Sequence, residues 1–416
     1  MTTIPGLGEI PDRWASERAR WLLHRQRRDV RPEDGIVTAF RDGQVTLRER
    51  RRTEGFTNAI QEIGYQGIRV GDLVVHGMDG FAGAIGVSDS DGKSSPVVHA
   101  YRPNEITDAR YVAYALRTMA VNGYVSTLAK GIRERSTAFD ASTLADVLLP
   151  VPPLEEQRRI ADFLDAETAR IDRLTDRYQK LSDLAVERAR AVIDKALNRF
   201  SAEFSTPASA VCSAIVDCVN KTAPTSTEIT PYKMIRTSNI RNGEVDLSET
   251  FSVERQVFIE WNRRGTPRNG DILFTREAPL GQVGMLRTDT SVFLGQRIML
   301  YRANEDVIKK ELLLYNFLGS HMDRQFRLLG AGSLHEHMRV GDCLKLRICC
   351  PPRTQQDGLV AEIEAGRAKS LRLAKLAKRQ LALLTERRQA LITAAVTGQF
   401  DVSTASGRNV TDGVSA

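Results

Sequence analysis

Two patterns of apolar and polar positions alternate along the 416 residues. Up to about residue 150 the apolar runs are short and punctuated by Gly and Asn, as in Gly71-Asp-Leu-Val-Val75, Ala84-Ile-Gly-Val87 and Pro96-Val-Val-His-Ala100. Runs of this length between turn formers predict short strands. Pro152-Pro153, which cannot lie inside a helix, then opens a segment from Leu154 to Arg199 that contains neither Gly nor Pro. Dense in helix formers, it predicts one long helix. Apolar side chains at Ile160, Leu164, Ile171, Leu174, Tyr178, Leu181, Ala185 and Val192 follow the alternating four and three spacing of a heptad seam, interrupted at Glu167 and Arg188. The same succession then returns. Gly270-Asp-Ile-Leu-Phe274, Gln282-Val-Gly-Met-Leu286 and Gln296 to Tyr301 predict strands, Val307 to Gln325 a helix, and Asp357 to Thr397 a second long helix that stops at Gly398. Its seam is Leu359, Ile363, Leu373, Ala377, Leu381, Leu384 and Leu391. About 40 helical residues make a rod of ~60 Å, longer than a small domain needs for its own core. Two such rods most simply pair with each other, antiparallel.

The recurrence extends to residue identity. Arg41-Asp-Gly-Gln-Val-Thr-Leu47 returns as Arg241-Asn-Gly-Glu-Val-Asp-Leu247 and Tyr101-Arg-Pro-Asn-Glu105 as Tyr301-Arg-Ala-Asn-Glu305, each 200 residues on. Gly71-Asp-Leu73 returns as Gly270-Asp-Ile272, Val151-Pro-Pro153 as Cys350-Pro-Pro352, Gln157 as Gln356, and Glu187-Arg188 as Glu386-Arg387, each 199 residues on. Collinear matches that drift by one residue identify a tandem duplication of a unit of about 200 residues, long enough for each copy to hold its own core. The expected fold class is α+β: two mixed α/β domains separated by two long helices in an antiparallel coiled coil, with a pseudo-twofold internal duplication. The expected divisions are a first head at 1–151, a central helix at 152–200, a second head at 201–349, a C-terminal helix at 350–400 and a flexible tail at 401–416.

Composition changes the picture little. A hydrophobic fraction of 42% and a charged fraction of 27% belong to a chain that buries a core. No uncharged apolar run reaches the ~18 residues of a membrane span, and the residues up to Arg13 lack a signal-peptide pattern, so a cytoplasmic location without a membrane partner is expected. Cys212, Cys218, Cys343, Cys349 and Cys350 form no CxxC pair and are expected to be reduced, mostly buried thiols. The net charge of +7 suits a polyanionic partner.

Visible catalytic chemistry is lacking. Gly92-Lys93-Ser94 has Val87 where a phosphate-binding loop needs its first glycine, and reads as part of a turn from Asp89 to Gly92. The Asn/Asp-Pro-Pro-Tyr/Phe tetrapeptide expected of an amino-methyltransferase does not occur. His335-Glu336-His337 is not HExxH, and no third ligand is in view. Asp91 and Lys93 make only a bare DxK. Cations are more informative. The first copy offers Arg25-Gln-Arg27-Arg28, Arg50, Arg51, Lys130, Arg133 and Arg135; the second offers Lys233, Arg236, Asn239, Arg241, Arg276 and Gln282. Arginine forks match phosphate oxygens and guanine edges, and Asn and Gln can read adenine. These are the candidate DNA-binding residues, weighed against solvated, salt-bridged faces. The copies differ most in these loops, as expected if each reads a different sequence. The helices differ too, with 10 acidic and 10 basic residues over 155–199 but 4 and 9 over 353–388.

Several of these stretches resemble the specificity subunits of type I restriction-modification enzymes. Gly8-Glu-Ile-Pro-Asp-Arg-Trp14 is similar to the family's opening, Leu149-Pro-Val-Pro-Pro-Leu-Glu-Glu-Gln157 to the start of its central conserved helix, and Glu386 to Gly398 to its closing helix. Met78 to Val87 resembles one class of its target recognition domains. The second helix start departs from the pattern, reading Cys350-Pro-Pro-Arg-Thr-Gln-Gln356. The resemblance implies a non-catalytic subunit whose two target recognition domains read an asymmetric bipartite double-stranded DNA target, with a spacer set by helix length. A ~60 Å rod is in scale with roughly 13 to 15 base pairs. It further implies two modification subunits, supplying S-adenosylmethionine-dependent adenine N6 methylation, and restriction subunits using ATP and Mg. This chain itself would bind no cofactor. Leu154, Glu155, Glu156, Gln157 and Arg387, inside the helical motifs, are the expected partner-binding residues. The alternatives are a protein-interaction scaffold without sequence preference for DNA, and a stand-alone nuclease.

Overall fold

The computed structural model describes residues 2–51, 62–128, 139–330, 337–399 and 401–402. The chain divides into two units, the first of residues 1–177 with 380–416 and the second of residues 178–379. The division runs through both long helices, so each unit holds one head and one end of the helix pair.

The first unit's head is built on an antiparallel sheet of β1 (Leu23–Gln26), β2 (Leu73–His76), β3 (Ile85–Val87) and β4 (Val98–Pro103) in the order β1-β4-β2-β3. The second unit repeats it with β5 (Cys212–Asp217), β6 (Ile272–Thr275), β7 (Val283–Met285) and β8 (Ile298–Ala303) in the order β5-β8-β6-β7, extended by Gly243–Val245 and Ile240–Arg241. Register repeats as well: Tyr101 faces Leu73 and Tyr301 faces Ile272. Helix α1 (Ala109–Val121) follows β4, and α3 (Lys310–Leu318) with α4 (Ser320–Gly330) follows β8. The single helix expected over Val307 to Gln325 is thus two. Gly319 between them is extended, and Asp194 Oδ1 accepts the Ser320 N–H at 2.7 Å, starting the second helix afresh. Gly92–Ser94, expected to belong to a turn, is a strand paired with Gln66–Ile68.

The matched motifs are the fasteners of this frame. Gly71 and Gly270 adopt left-handed φ of 83° and 92°, which favours glycine. That turn carries Asp72 and Asp271 inward, where both are buried. Asp72 accepts the Arg69 N–H at 2.8 Å and pairs with Arg102 at 2.7 Å. Asp271 accepts the Arg268 N–H at 2.7 Å and is held by both Nε and Nη2 of Arg302, at 2.8 and 2.7 Å. The five cysteines are free thiols, three of them buried.

Helices α2 (Leu154–Asn198) and α5 (Arg353–Val396) each run unbroken. They pair antiparallel: in the first unit Arg388 binds Asp172, and in the second Arg199 binds Glu362 at 2.6 Å while Val192 packs at Gly366. Ile160, Leu164, Ile171 and Ala185 are buried as their spacing requires. Leu373 is not; it is 41% exposed, and Ala374 takes the inner position. Ala377 is buried as expected, but counting only apolar residues misses Gly366, Ser370 and Ala374, the small residues that complete this part of the seam and bring the helices close. A Cβ at Gly366 would lie 2.7 Å from Val192 Cγ1, and Val192 is β-branched and stiff. Gly366→Val is therefore expected to cost about 1–3 kcal/mol in urea denaturation, against the rise that a better helix former would give on an exposed face.

Candidate nucleic-acid interface

In the first unit β1 is an edge strand, so one row of its backbone groups faces outward. Leu23 is buried while Arg25 and Arg27 are exposed. With Gly64, Tyr65, Gln66 and Pro96 they border a recess of about 320 Å³. Arg28 turns inward to Asp72, at 2.5 Å. Beneath this edge lie two imidazoles. Burial pushes His99 below its ordinary value, and the Arg25 charge adds to the push. Burial does the same to His76, against the pull of Asp79, and His76 Nδ1 accepts the Asp79 N–H at 3.1 Å. Both rings favour the neutral form, so the positive field along this edge comes from the arginines.

Arg50 and Arg51 close the turn after the strand Val45–Leu47. Arg50 donates to Ser90 Oγ at 2.9 Å and remains over half exposed. Arg51 pairs with Asp42 at 2.8 Å and stacks 4.3 Å from the Phe40 ring centroid. Burial alone would raise the Asp42 carboxyl, but hydrogen bonds from Arg51 and the Gln44 N–H hold it below the usual range. Lys130, Arg133 and Arg135 lie outside the described residues.

The second unit brings some of its candidates together. Lys233, on the strand Lys233–Ile235, donates to Ser252 Oγ at 2.8 Å. Arg236, next along, stacks 4.1 Å from the ring centroid of Phe251, a ring 41% exposed. Its Nε is buried without a partner. The pair forms a cation backed by an aromatic face, a surface suited to a phosphate or a base. Arg241 is exposed on a short edge strand. Others are turned inward. Asn239 is 5% exposed; its Oδ1 accepts the Arg236 N–H at 2.8 Å and its Nδ2 reaches the Glu249 carbonyl, so its amide pins the turn that presents Arg236. Arg276 is buried against Asp217 at 3.0 Å and donates to the Met338 carbonyl at 3.2 Å. Gln282 lines a separate cleft beside the helix pair.

A further duplication shows where the corresponding loops of the heads begin. The Gly77 N–H donates to Val97 O and the Phe139 N–H to Gly77 O; in the second unit Arg276 donates to Arg297 O and Met338 to Arg276 O. Position for position the backbone is the same, while the side chains are Gly, Val and Phe in one head and Arg, Arg and Met in the other. Phe251, Arg297 and this clamp were missed from sequence; the 199–200-residue offset was the signal that could have placed the clamp. His337, of the His335 to His337 run, lies 3.2 Å from Glu277, and the other two residues of that run are outside the described ones. Among the described residues no group of three or more His, Cys, Asp or Glu could hold a metal ion, and no helix is long and apolar enough to cross a membrane.

At the first helix start the residues differ in availability. Leu154 is half-buried, Glu155 is exposed beside Arg158, and Glu156 pairs with Arg13 at 2.8 Å. Arg387 is exposed. Gln157 is 1% exposed; its Oε1 accepts the Asp108 N–H at 2.9 Å and its Nε2 donates to the carbonyls of Ile106 and Pro152 at 2.9 and 2.8 Å. Gln356 repeats this with the Lys309 N–H and the carbonyls of Val307 and Pro351.

No family model matches the chain. Over 307 residues it is 22% identical to the specificity subunit of the type I restriction enzyme EcoBI of Escherichia coli, covering 68% of this chain and 64% of that protein. Over 316 residues it is 20% identical to the EcoKI specificity subunit of Escherichia coli strain K12, covering 72% and 67%. The chain thus spans about two thirds of the length of the curated relatives it matches. A solved structure from work on complex assembly and conformational transition of the type I restriction-modification system matches with a TM-score of 0.59 at 16% identity, over 94% of this chain and all of that one. At that identity the likeness is one of fold, and it extends across heads and long helices alike. The resemblance carried by the helical motifs is borne out: in sequence the chain is similar to specificity subunits of type I restriction enzymes, and in fold it is similar to a chain from a type I restriction-modification system.

Proposed function

We propose that this chain is the DNA-specificity subunit of a type I restriction-modification complex, itself non-catalytic, whose two heads read the two halves of an asymmetric bipartite target. The observation that carries the reading is a conserved internal frame with divergent outward chemistry. The sheet order, the Asp–Arg fasteners and the buried Gln locks are the same in both heads. The corresponding edge strands are not: one presents His24-Arg25-Gln26 and runs on into Arg27, the other Ser213-Ala214-Ile215-Val216. A duplication that keeps its fasteners and changes its exposed cations suits two readers of different sequences. The relatives' names support the reading, as does the fold shared with a type I complex component. Partners follow from it: two modification subunits bringing S-adenosylmethionine and adenine N6 methylation, and restriction subunits bringing ATP and Mg, with the complex working in the cytoplasm. No cofactor is assigned to this chain.

Methylation sequencing of DNA from cells carrying the chain with its modification partner tests this directly. An asymmetric two-part adenine-methylated motif that vanishes with the chain is expected. An unchanged methylome, with that partner shown active alongside another specificity subunit, would favour the scaffold without sequence preference. Within that system Arg236→Ala is expected to relax sequence preference in one half of the motif only, by about 1–3 kcal/mol if it reads a base edge. Arg25→Ala with Arg27→Ala is expected to lower the salt slope of DNA binding by up to about 2. Equal loss at all sequences in both experiments would leave only phosphate positioning.

A further inference from the structure

The duplication allows each place in one unit to be compared with its counterpart in the other. In the first unit the crevice between the helix pair and α1 is filled by charge. Arg388 of α5 binds Asp172 of α2, and Arg117 of α1 lies beside Arg388, Tyr114, Asp42 and Asp172. The Asp108/Lys309 and Gln157/Gln356 locks set the correspondence. By it, Arg117 matches Leu318, Asp172 matches Leu371 and Arg388 matches Ala189, while the Arg41/Arg241 repeat matches Asp42 with Asn242. All four of these second-unit residues line one cleft of about 1020 Å³ between the helix pair and α3–α4. Where the first unit has a charged plug, the second has an apolar hollow.

Its floor includes Ala189, Ile193, Phe317, Phe326 and Ala374. Val186 and Leu371 at its edge are 44% and 42% exposed, apolar surface left uncovered beside an apolar floor. Its charge is one-sided. Arg190, Arg327, Arg367, Lys375 and Lys378 line it against a single carboxylate, Asp323, which Arg190 already binds. Arg327, Lys375 and Lys378 form no ion pair among the described residues. Arg367 stacks 5.0 Å from the Tyr315 ring centroid with its Nε buried and unpartnered. The wall from Arg367 to Lys378 runs three turns, ~16 Å. Ala189 and Ala374 on the facing helices leave room for a third helix to approach at the usual 8–10 Å spacing. A wall three helical turns long, an apolar floor with small residues in it and unmatched cations together describe the complement of one ligand type.

We propose that the second unit carries a docking cleft for an acidic amphipathic helix of a partner protein, and that the first unit has closed the equivalent place with its Arg117–Asp172–Arg388 cluster. Such a partner occupies one unit and not its duplicate. The inference goes beyond DNA recognition and does not depend on it.

The test uses the full chain and two fluorescent 16-residue helical peptides with the same leucine stripe at i, i+3, i+4 and i+7, one flanked by Glu and the other by Lys, followed by anisotropy at 0.15 M salt. The Glu peptide is expected to bind saturably and at least about tenfold tighter than its Lys twin, a difference of ~1.4 kcal/mol. Lys375→Glu with Lys378→Glu, both exposed helix-surface changes, leaves three cations against three carboxylates and should remove that preference. Leu318→Arg with Leu371→Asp and Ala189→Arg, which rebuilds the first unit's cluster, should abolish binding of both peptides. Arg255→Glu, an exposed position outside the cleft, should change neither. Equal binding of the twins, no binding, or a preference that survives the Lys375/Lys378 reversal overturns the proposal, and because that reversal alone decides, a rebuilt variant that fails to fold leaves the test intact. DNA methylation by the same preparations reports on the proposed function separately, so either reading can fail while the other stands.

Discussion

Gln157→Ala is expected to lower the chain's stability by about 2–4 kcal/mol in urea denaturation, and Gln356→Ala by a similar amount. Each amide is almost fully buried and makes three hydrogen bonds of 2.8–2.9 Å, so truncation strands one N–H and two carbonyls away from water. The consequence does not stop at the amide. The N–H that Gln157 receives belongs to Asp108, whose carboxylate caps α1 by accepting from the N–H groups of Arg110 and Tyr111. Tyr111 in turn donates to the Val396 carbonyl at the end of α5. Loss of Gln157 therefore loosens the seat of the head on both long helices within its unit. Glu155→Ala, two residues away, removes only an exposed pair with Arg158 and is expected to cost under about 0.5 kcal/mol. The alternative outcome is informative: if Gln157→Ala left stability unchanged and abolished assembly with a partner, Gln157 would be a docking residue after all, and its buried geometry would be that of the unassembled chain.

The organisation of the molecule was legible because the repeat left identical residues at the fasteners. Gly71-Asp-Leu73 and Gly270-Asp-Ile272 match since each needs a left-handed glycine and a buried carboxylate for an arginine on the neighbouring strand. Gln157 and Gln356 match since each locks the segment leading into the following helix. A residue tied to the backbone cannot drift without cost, so fasteners survive duplication where surface residues do not. The same reasoning shows why individual contacts were poorly legible. Arg236 and Arg276 look alike in sequence, forty residues apart in one basic head, yet one stacks on an exposed Phe251 and the other neutralises Asp217 beneath the loops. Asn239 has the chemistry of an adenine reader and spends it on a turn. The seam of the long helices hid its tightest part for a related reason: close approach is made by Gly366, Ser370 and Ala374, which an apolar count passes over, while Leu373 beside them faces water.

Asp72→Ala is expected to be the most damaging single change in the first head. The carboxylate is completely buried and serves three donors: the Arg69 N–H, Arg28 and Arg102. Removing one partner of a buried ion pair costs about 3–5 kcal/mol, because the remaining charge loses its compensation. Arg28 and Arg102 reach solvent along one side, at 27% and 43% exposure, and water offsets part of that loss. The expected destabilisation is then about 2–4 kcal/mol, with Asp72→Asn falling between it and the native chain since the amide oxygen still accepts from Arg69 N–H. A measured cost below about 1 kcal/mol would mean the turn at Gly71 holds the frame without its carboxylate. The change also carries a functional signature. Arg28 continues the exposed edge of Arg25 and Arg27, and Asp72 is what keeps it turned inward. Freed from Asp72, it adds a third cation to that edge, so the fraction of Asp72→Asn protein that remains folded is expected to bind DNA of any sequence more tightly, with a salt slope steeper by about one. The ratio between cognate and unrelated sequences should stay unchanged, since a phosphate contact strengthens both alike. A variant that loses stability while its salt slope stays fixed would place Arg28 permanently in the frame and assign the field of this edge to Arg25 and Arg27 alone.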